Sequence, residues 1–265
     1  MVVSLGGAQF VTVGDFEPNV AMVGQELGVI RSIGFLRCGV SASGASAAFD
    51  AACAGAAHGA LYIDASGFPV VDPDPRVIAN PNPRWTGSLR SGFRYKKVQL
   101  TALVDVRHGG QIWNGTKGAL WSYGTHKDTE DRGASKTFGQ GGWWDGPVVG
   151  PGAGTAVTIG QNWYRDGDAP CPFTGVDEPC IEDGGYAKLR EISVSYTLDA
   201  PWVTRTLGVS SVDIRVAGRN LHTWTKYSGY DPETSLGGAA APVTGIDYFN
   251  NPQTRSFNIS FTFNR

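Results

Sequence analysis

From Thr254 to Arg265, apolar and polar side chains alternate along the chain. The apolar positions are Phe257, Ile259, Phe261 and Phe263, and each is followed by a polar residue. Because successive side chains leave a β-strand on opposite sides, this period of two predicts a strand with one apolar face and one polar face.

The same alternation recurs in four earlier segments, which predicts an all-β architecture. These segments are Arg84–Tyr95, Val98–Arg107, Glu191–Leu198 and Val212–Ala217. Their polar positions include charged residues, and only Leu103 interrupts the pattern. A soluble β-sandwich tolerates such charges on its solvated outer faces, whereas a transmembrane β-barrel turns its apolar side to lipid and its polar side to a wet lumen. The alternation fits both architectures.

The connections between these segments alternate in length. Lys96–Lys97 and Asp199–Ser210 are short, whereas Gly109–Gly185 and Leu221–Thr254 are long. Short turns at one end of the strands and long loops at the other are typical of outer-membrane barrels, and a soluble sandwich gives no reason for this order. Upstream, Leu27–Phe35 is a weaker candidate for a sixth strand.

Composition narrows the possibilities further. The 37 glycines and 15 prolines favour strands joined by many turns. No helix of normal length is predicted, because glycines interrupt even the alanine-rich stretch Ala42–Ala60. No apolar run is long enough for a membrane-spanning helix. The net charge of −2 gives no basic field that would attract nucleic acid.

Several short motifs occur in a fixed order along the chain. The longest, Val216–Glu233, reads VAGRNLHTWTKYSGYDPE. The others are Gly24–Gly28, Asp64–Gly67, Asn80–Pro83, Tyr95–Leu100, Gly109–Thr116, Leu189–Leu198 and Tyr248–Phe263. Together these motifs resemble SusC/RagA-type TonB-linked outer-membrane receptors.

The resemblance implies that residues 1–265 are the C-terminal part of a transmembrane β-barrel. The expected form is an incomplete barrel, which is a curved, open sheet of antiparallel strands with long extracellular loops. The plug domain and the N-terminal region that contacts TonB are expected to be missing, so the chain would not be transport-competent alone. One departure from the family is that Asn264 and Arg265 follow the last aromatic residue.

The function implied by the resemblance is nutrient import, the uptake of oligosaccharide or peptide, across the outer membrane of a Gram-negative, Bacteroidetes-like cell. The implied partners are outer-membrane lipid, a SusD-like surface lipoprotein, TonB through the missing region, and the oligosaccharide or peptide ligand. Nucleic acid, cofactors and metals are not expected.

Catalysis is not expected either. The four histidines are isolated in sequence, and no Gly-x-Ser-x-Gly motif occurs. Two alternatives remain open at this point: a secreted, aromatic-rich β-sandwich that binds carbohydrate, and a fragment of a glycoside hydrolase.

Aromatic residues crowd the longest connection and are candidates for ligand binding. Flat rings stack on the C–H faces of sugars while neighbouring polar groups bond the hydroxyls. The predicted ligand-binding residues are Trp121, Trp143, Trp144, Asp145, Trp163 and Tyr164. The alternative is that these rings build small cores within the loop, with Trp113 in an interfacial girdle.

Charged residues fall on the polar side of neighbouring predicted strands. In a barrel lumen they would pair with one another and with plug residues. The predicted lumen-facing charges are Glu191, Asp213, Arg215 and Arg219. Asp231, in a Tyr-Asp-Pro-Glu turn, is expected to hydrogen-bond its own backbone rather than bind calcium.

The four cysteines fall as two local couples. We expect disulfides between Cys38 and Cys53 and between Cys171 and Cys180, although spacing alone does not fix the connectivity, and four unlinked thiols are the alternative. Oxidised pairs would indicate an extracytoplasmic location.

Overall fold

The computed structural model describes residues 1–13, 18–42, 44–140, 145–165, 171, 175–238 and 243–265. The chain divides into two compact units. The loop unit comprises Met1–Asn82, Gln111–Glu182 and Ser235–Asn250. The sheet unit comprises Pro83–Gly110, Asp183–Thr234 and Asn251–Arg265.

Strands dominate both units. They are β1 (Phe10–Thr12), β2 (Asn19–Met22), β3 (Val29–Ser32), β4 (Leu61–Tyr62), β5 (Arg76–Ala79), β6 (Trp85–Tyr95), β7 (Val98–His108), β8 (Gln111–Asn114), β9 (Ser135–Thr137), β10 (Val148–Val149), β11 (Ala156–Thr158), β12 (Ile181–Asp183), β13 (Tyr186–Leu198), β14 (Ser211–Thr225), β15 (Ile246–Asp247) and β16 (Ser256–Asn264). The α-helices are α1 (Ala47–Cys53), α2 (Gly115–Ser122), α3 (Gln161–Tyr164) and α4 (Pro201–Leu207), and short 3₁₀ helices span Lys127–Asp131 and Glu178–Cys180. Among the described residues, no helix combines the length and the apolar character needed to cross a membrane.

The sheet unit is built on one antiparallel sheet with the strand order β16-β14-β13-β7-β6. In its register, apolar residues of one strand lie opposite apolar residues of the neighbouring strand. One cross-strand row contains Phe93, Leu100, Val194, Val216 and Ile259. A slip of one residue in any strand would turn its apolar side chains to the opposite face, so the alternation excludes such slips. The predicted fold class is confirmed, and β6 and β16 are the open edges of the sheet among the described strands.

The two short connections of the sheet have local causes. Lys96, in the turn between β6 and β7, adopts a φ of 54°. Helix α4 occupies the connection between β13 and β14. It begins at Pro201, whose ring favours the first helical position, and ends at Gly208, which takes the left-handed conformation with a φ of 68°.

Strands β13 and β14 extend further than the alternation predicts. The pairing between them shifts register between Leu189 and Glu191, which marks a β-bulge. A bulge inserts an extra residue, so the period of two loses its phase there and the regular alternation ends.

The loop unit contains a four-stranded sheet of order β1-β2-β3-β5 and three smaller sheets, β10-β4, β11-β9 and β12-β8-β15. Its largest hydrophobic core includes Phe35, Ile63, Phe138, Ile159 and Trp163. The predicted sixth strand, Leu27–Phe35, does contain β3, but β3 pairs with β2 and β5 rather than with the large sheet.

Helix α1 was not predicted from the sequence. It begins because the Ser46 hydroxyl accepts a hydrogen bond from the Phe49 backbone N–H at 3.0 Å, which caps the first turn. Phe49 is buried in a second small core. Tertiary packing and a cap therefore hold a helix that its glycine-flanked sequence argued against.

Candidate functional site

Apart from the end where helix α4 packs on it, the apolar face of the large sheet is not covered by protein among the described residues. Ile259 and Phe261 on β16 are 66% and 58% exposed, and Phe93, Leu100 and Val194 on the other strands are exposed as well. A β-sandwich buries this kind of face against a second sheet. Here the face is open along five strands.

Exposed aromatic residues lie at both ends of that apolar face. Trp85 and Trp224 lie where the long connections leave the sheet, and Tyr95 and Tyr196 lie near the short connections. Aromatic girdles that border an apolar band are typical of membrane-spanning barrels, because the ring is apolar and the Trp N–H or Tyr O–H is polar.

The four predicted lumen-facing charges share the opposite, polar face. Arg215 Nη2 donates to Glu191 Oε1 at 2.5 Å, and Arg219 Nε donates to Glu191 Oε2 at 3.0 Å. Asp213 accepts hydrogen bonds from Thr197 and Asn264 at 2.5 and 2.9 Å. The charges therefore pair across β13, β14 and β16. Their contact with a plug stays a prediction.

A second charged cluster on the same unit was not predicted. Lys188 is only 3% exposed, and its Nζ donates to Asp231 Oδ1 at 2.5 Å and to Glu233 Oε2 at 2.7 Å. Arg190 donates to Asp105 Oδ2 at 2.6 Å and to Glu233 Oε1 at 2.5 Å. We call Asp105, Lys188, Arg190, Asp231 and Glu233 the clamp. It attaches the segment after β14 to the polar face of β13 and β7.

The β-bulge explains why the clamp was missed. Strict alternation would place Arg190 and Glu191 on opposite faces, whereas the contacts of Arg190 with Asp105 and of Glu191 with Arg215 place both on the polar face. The sequence does not show a bulge directly. Lys188 and Arg190 directly precede the predicted strand Glu191–Leu198, so the alternation gave them no face.

The turn at Asp231 behaves as predicted. The Glu233 backbone N–H donates to Asp231 Oδ1 at 3.0 Å, so the aspartate stabilises its own turn. Burial opposes ionisation of Glu233, but its hydrogen bonds with Arg190 and Lys188 outweigh burial and lower its pKa to about 2. Among the described residues, no group of three or more His, Cys, Asp or Glu side chains is arranged to hold a metal ion.

Three of the predicted ligand-binding residues meet at one cleft in the loop unit. The cleft has a volume of about 510 Å³, and Trp121, Trp163 and Tyr164 contribute to its wall. These side chains are only 8%, 3% and 5% exposed. Trp163 packs against Phe35, Phe68 and Phe138. The three rings therefore belong to the core and offer little exposed surface to the cleft.

The other three predicted ligand-binding residues do not join the cleft wall. Trp143 and Trp144 lie outside the described residues. Asp145 is exposed and is not among the residues that line the cleft. Ligand binding by these six residues stays a prediction. Trp113, considered for an interfacial girdle, is buried in the same core as Trp163.

Charges of both signs surround the cleft. Its wall includes the cations Arg37, Lys117 and Lys136 and the carboxylates of Asp131 and Glu178. Lys117 pairs with Glu182 at 3.0 Å, and Lys136 pairs with Asp131. Burial and a hydrogen bond with Asp131 raise the pKa of the Tyr164 phenol, so this hydroxyl stays protonated and donates.

Glu178 is the other functional feature that sequence analysis missed. Its carboxylate pairs with Arg37 at 2.5 Å and with Arg76 at 2.7 Å, and it also accepts a hydrogen bond from the Phe35 backbone N–H at 3.0 Å. The adjacent Asp177 accepts hydrogen bonds from Ser32 and, at 2.8 Å, from Trp113. Burial raises the pKa of Asp177, and these two bonds oppose the rise.

The cysteines form the two local disulfides that were expected. Cys38 is joined to Cys53, and Cys171 to Cys180, with Cα–Cα distances of 5.2 and 5.5 Å. Both disulfides lie in the loop unit. The disulfide between Cys171 and Cys180 constrains the chain close to Asp177 and Glu178.

Comparison with known proteins gives consistent results. No family model matches the chain. The TonB-dependent receptor P3 of Formosa agariphila is 26% identical over 209 residues, which cover 76% of this chain and 18% of that receptor. The RagAB peptide importer has a similar fold in its closed-closed state, with a TM-score of 0.56 and 14% identity over 97% of this chain and 25% of that chain. Its open-open state gives a TM-score of 0.53 and 14% identity over 99% and 25%. The chain therefore spans about a fifth of the curated relative and a quarter of the solved chains.

Proposed function

We propose that this chain, a relative in sequence and fold of the SusC/RagA-type TonB-dependent receptors, forms part of the outer-membrane barrel of a nutrient importer. The observation that carries the proposal is the open apolar face of the five-stranded sheet, backed by a polar face whose charges pair with one another. Water would penalise so large an exposed apolar face, whereas lipid stabilises it.

The dimensions of the sheet support this assignment. Strand β6 runs for 11 residues from Trp85 to Tyr95, with an exposed aromatic residue at each end. At about 3.3 Å per residue and a tilt of about 40°, such a strand spans roughly 25 Å along the membrane normal, the height of the apolar band of outer-membrane barrels. The polar face then lines the lumen.

We infer the remaining parts of the system from the family. The chain is the C-terminal part of a longer receptor whose plug domain and TonB-contacting region are encoded outside residues 1–265. The complete receptor works in the outer membrane with a SusD-like surface lipoprotein and imports an oligosaccharide or a peptide. Its role is transport rather than catalysis.

The faces of the sheet can be tested with a matched pair of neighbouring residues on β16. We would replace Ile259 or Ser260 by cysteine, attach a bimane fluorophore, and reconstitute the full-length receptor in lipid vesicles. Ile259→Cys is expected to be quenched by nitroxide-labelled lipid, and Ser260→Cys by aqueous iodide. Equal access of iodide to both sites would contradict the membrane assignment and favour the soluble, carbohydrate-binding alternative.

Ligand contact needs a separate test. We propose that the loop-unit cleft and the Trp143–Asp145 segment contribute to ligand binding. The double substitution Trp143→Ala with Trp144→Ala, and Asp128→Asn in the cleft wall, would be compared with Glu130→Gln, which alters an exposed carboxylate outside that wall. Binding to the full receptor of a tryptic peptide mixture and of a plant oligosaccharide mixture would be measured by calorimetry. Unchanged affinity for both mixtures in all three variants would rule out this contact.

A further inference from the structure

Helix α4 lies on a definite side of the large sheet. Val203 is fully buried, and it packs in one cluster with Val209, Val212 and Ile214. Val212 and Ile214 alternate along β14 with Asp213 and Arg215, so they belong to the apolar face. The helix therefore covers the apolar face, not the polar face, at the end of the sheet where the short connections lie.

The helix has more apolar surface than the sheet covers. Trp202 is 54% exposed and Leu207 is 48% exposed. At about 100° per residue, Trp202 and Leu207 lie on either side of Val203, roughly 100° and 40° away. Arg205 lies on the far side and is exposed. Buried Val203 therefore lies between two apolar side chains that are about half exposed among the described residues, and Thr206 lies between Trp202 and Val203.

Trp202 and Leu207 continue the apolar face of the sheet. Tyr196 and Phe263 are exposed on that face, and they lie among the last residues of β13 and β16, at the same end of the sheet. Tryptophan and tyrosine side chains at one end of an apolar band suit the headgroup region of a bilayer, where one end of each ring meets hydrocarbon and the other meets water.

We propose that α4 is an interfacial helix that anchors this end of the barrel wall in the phospholipid headgroup region. The inference rests on the proposed function, since it requires the apolar face to meet lipid. Trp202 and Leu207 rest at the boundary between the acyl chains and the headgroups, and Arg205 points to water and to lipid phosphates. Trp202 and Leu207 thus contact phospholipid rather than a protein partner.

Depth-dependent fluorescence quenching tests the proposal. The full-length receptor would carry bimane on Trp202→Cys, Leu207→Cys or Arg205→Cys, with Ile259→Cys as the reference for the sheet. Vesicles of phosphatidylethanolamine and phosphatidylglycerol would contain a nitroxide either on the headgroup or deep on the acyl chain. None of these substitutions touches buried Val203, so α4 keeps its packing on the sheet.

At Trp202→Cys and Leu207→Cys, headgroup nitroxide is expected to quench about twofold more than deep nitroxide, with the reverse order at Ile259→Cys. Arg205→Cys is expected to be the most accessible of the four sites to aqueous iodide. Free access of iodide to positions 202 and 207, with position 259 still quenched by lipid, would overturn the interfacial helix and leave the proposed function intact. Protection of 202 and 207 from every quencher would also overturn it, because a protein would then cover the helix. Free access of iodide to position 259 would instead overturn the proposed function.

Discussion

The same types of apolar residue are buried in one unit of this chain and exposed in the other. In the loop unit, Ile159 is fully buried in a core with Phe138 and Trp163. In the sheet unit, Ile259 is 66% exposed, in a row of apolar residues that crosses all five strands. A water-soluble domain cannot be stabilised by the second arrangement, because an exposed apolar face gains nothing from folding in water. The difference is the one that the proposed membrane assignment of the sheet unit predicts.

The charged groups of the two units are also arranged differently. In the loop unit, the partly buried carboxylates of Glu178 and Asp177 accept hydrogen bonds from distant segments of the chain. In the sheet unit, Glu191, Arg215 and Arg219 pair on one face of the sheet, and the clamp adds the buried pair of Lys188 with Asp231. The predictions below use substitutions that should affect one unit and spare the other.

The largest effect is expected for Glu178→Ala in the loop unit. Arg37 and Arg76 would each lose an ion pair, and both guanidinium groups are largely buried. Breaking a buried ion pair by removing one partner costs about 3–5 kcal/mol of unfolding free energy. Hydrogen exchange would show the loss in the loop unit while β13 and β14 stay protected. Glu130→Ala, at an exposed carboxylate, is the control, and equal exchange in both variants would contradict the role given to Glu178.

The next effect is expected for a charge placed on the apolar face. Ile259→Lys should destabilise the reconstituted barrel by about 2–4 kcal/mol, because a lysine at mid-membrane is costly. Ser260→Lys, one residue away on the polar face, should change stability far less. Denaturant titration of both variants in vesicles measures the difference. Similar costs for the two variants would mean that the faces do not meet different solvents.

The clamp gives a smaller and more local effect. Lys188→Met would leave Asp231 and Glu233 without their lysine, and we expect a loss of roughly 2–3 kcal/mol, because the loop can move its carboxylates into water. Limited proteolysis should then cut near residues 226–238 more rapidly. Lys226→Met, at an exposed lysine of the same segment, serves as the control. Cleavage at the original rate would show that the clamp does not hold the loop.

Acid should release the clamp only at very low pH. Hydrogen bonds with Arg190 and Lys188 lower the pKa of Glu233 to about 2, below its usual value of 4.5. A lowered carboxyl pKa contributes stability that is fully present above pH 4.5 and is lost as the pH falls through about 2. Proteolysis of the 226–238 segment with pepsin, which is active in acid, should therefore stay slow at pH 3.5 and accelerate near pH 2. Rapid cleavage already at pH 4 would contradict this pairing.

The smallest effect is expected for Arg219→Ala. Its guanidinium pairs with Glu191 at 3.0 Å but is more than half exposed, and Arg215 still pairs with the same carboxylate. Exposed ion pairs contribute only about 0–1 kcal/mol. A double-mutant cycle with Glu191→Ala would measure the coupling. A value well above 1 kcal/mol would show that the polar face is drier than its exposure indicates.

The sequence predicted the structure best where an interaction between residues close in sequence determines the outcome. Alternation placed all five strands of the sheet and both of its faces, and the resemblance to SusC/RagA-type receptors, read from motifs such as Val216–Glu233, is confirmed. The disulfides were found because each couple is close in sequence. The turn at Asp231 was found because aspartate bonds its neighbouring backbone.

The candidate site was less predictable because its contacts join distant segments. The clamp depends on a β-bulge at Arg190 and on a loop that returns more than forty residues later, as in the pair of Lys188 with Asp231. The arginine pairs of Glu178 join positions separated by 141 and 102 residues. Neither the clamp nor the ion pairs of Glu178 produce a periodic pattern in the sequence.

The amino-acid sequence by itself determined the location of the five strands of the large sheet and the chemical character of each face, because a period of two is a local property of an extended backbone. Only the tertiary structure decided which apolar residues remain exposed and which aromatic rings are buried in a core. It also decided on which face of the sheet helix α4 packs. Those outcomes depend on packing between segments far apart in the chain, and burial is a property of the assembled fold rather than of any single segment.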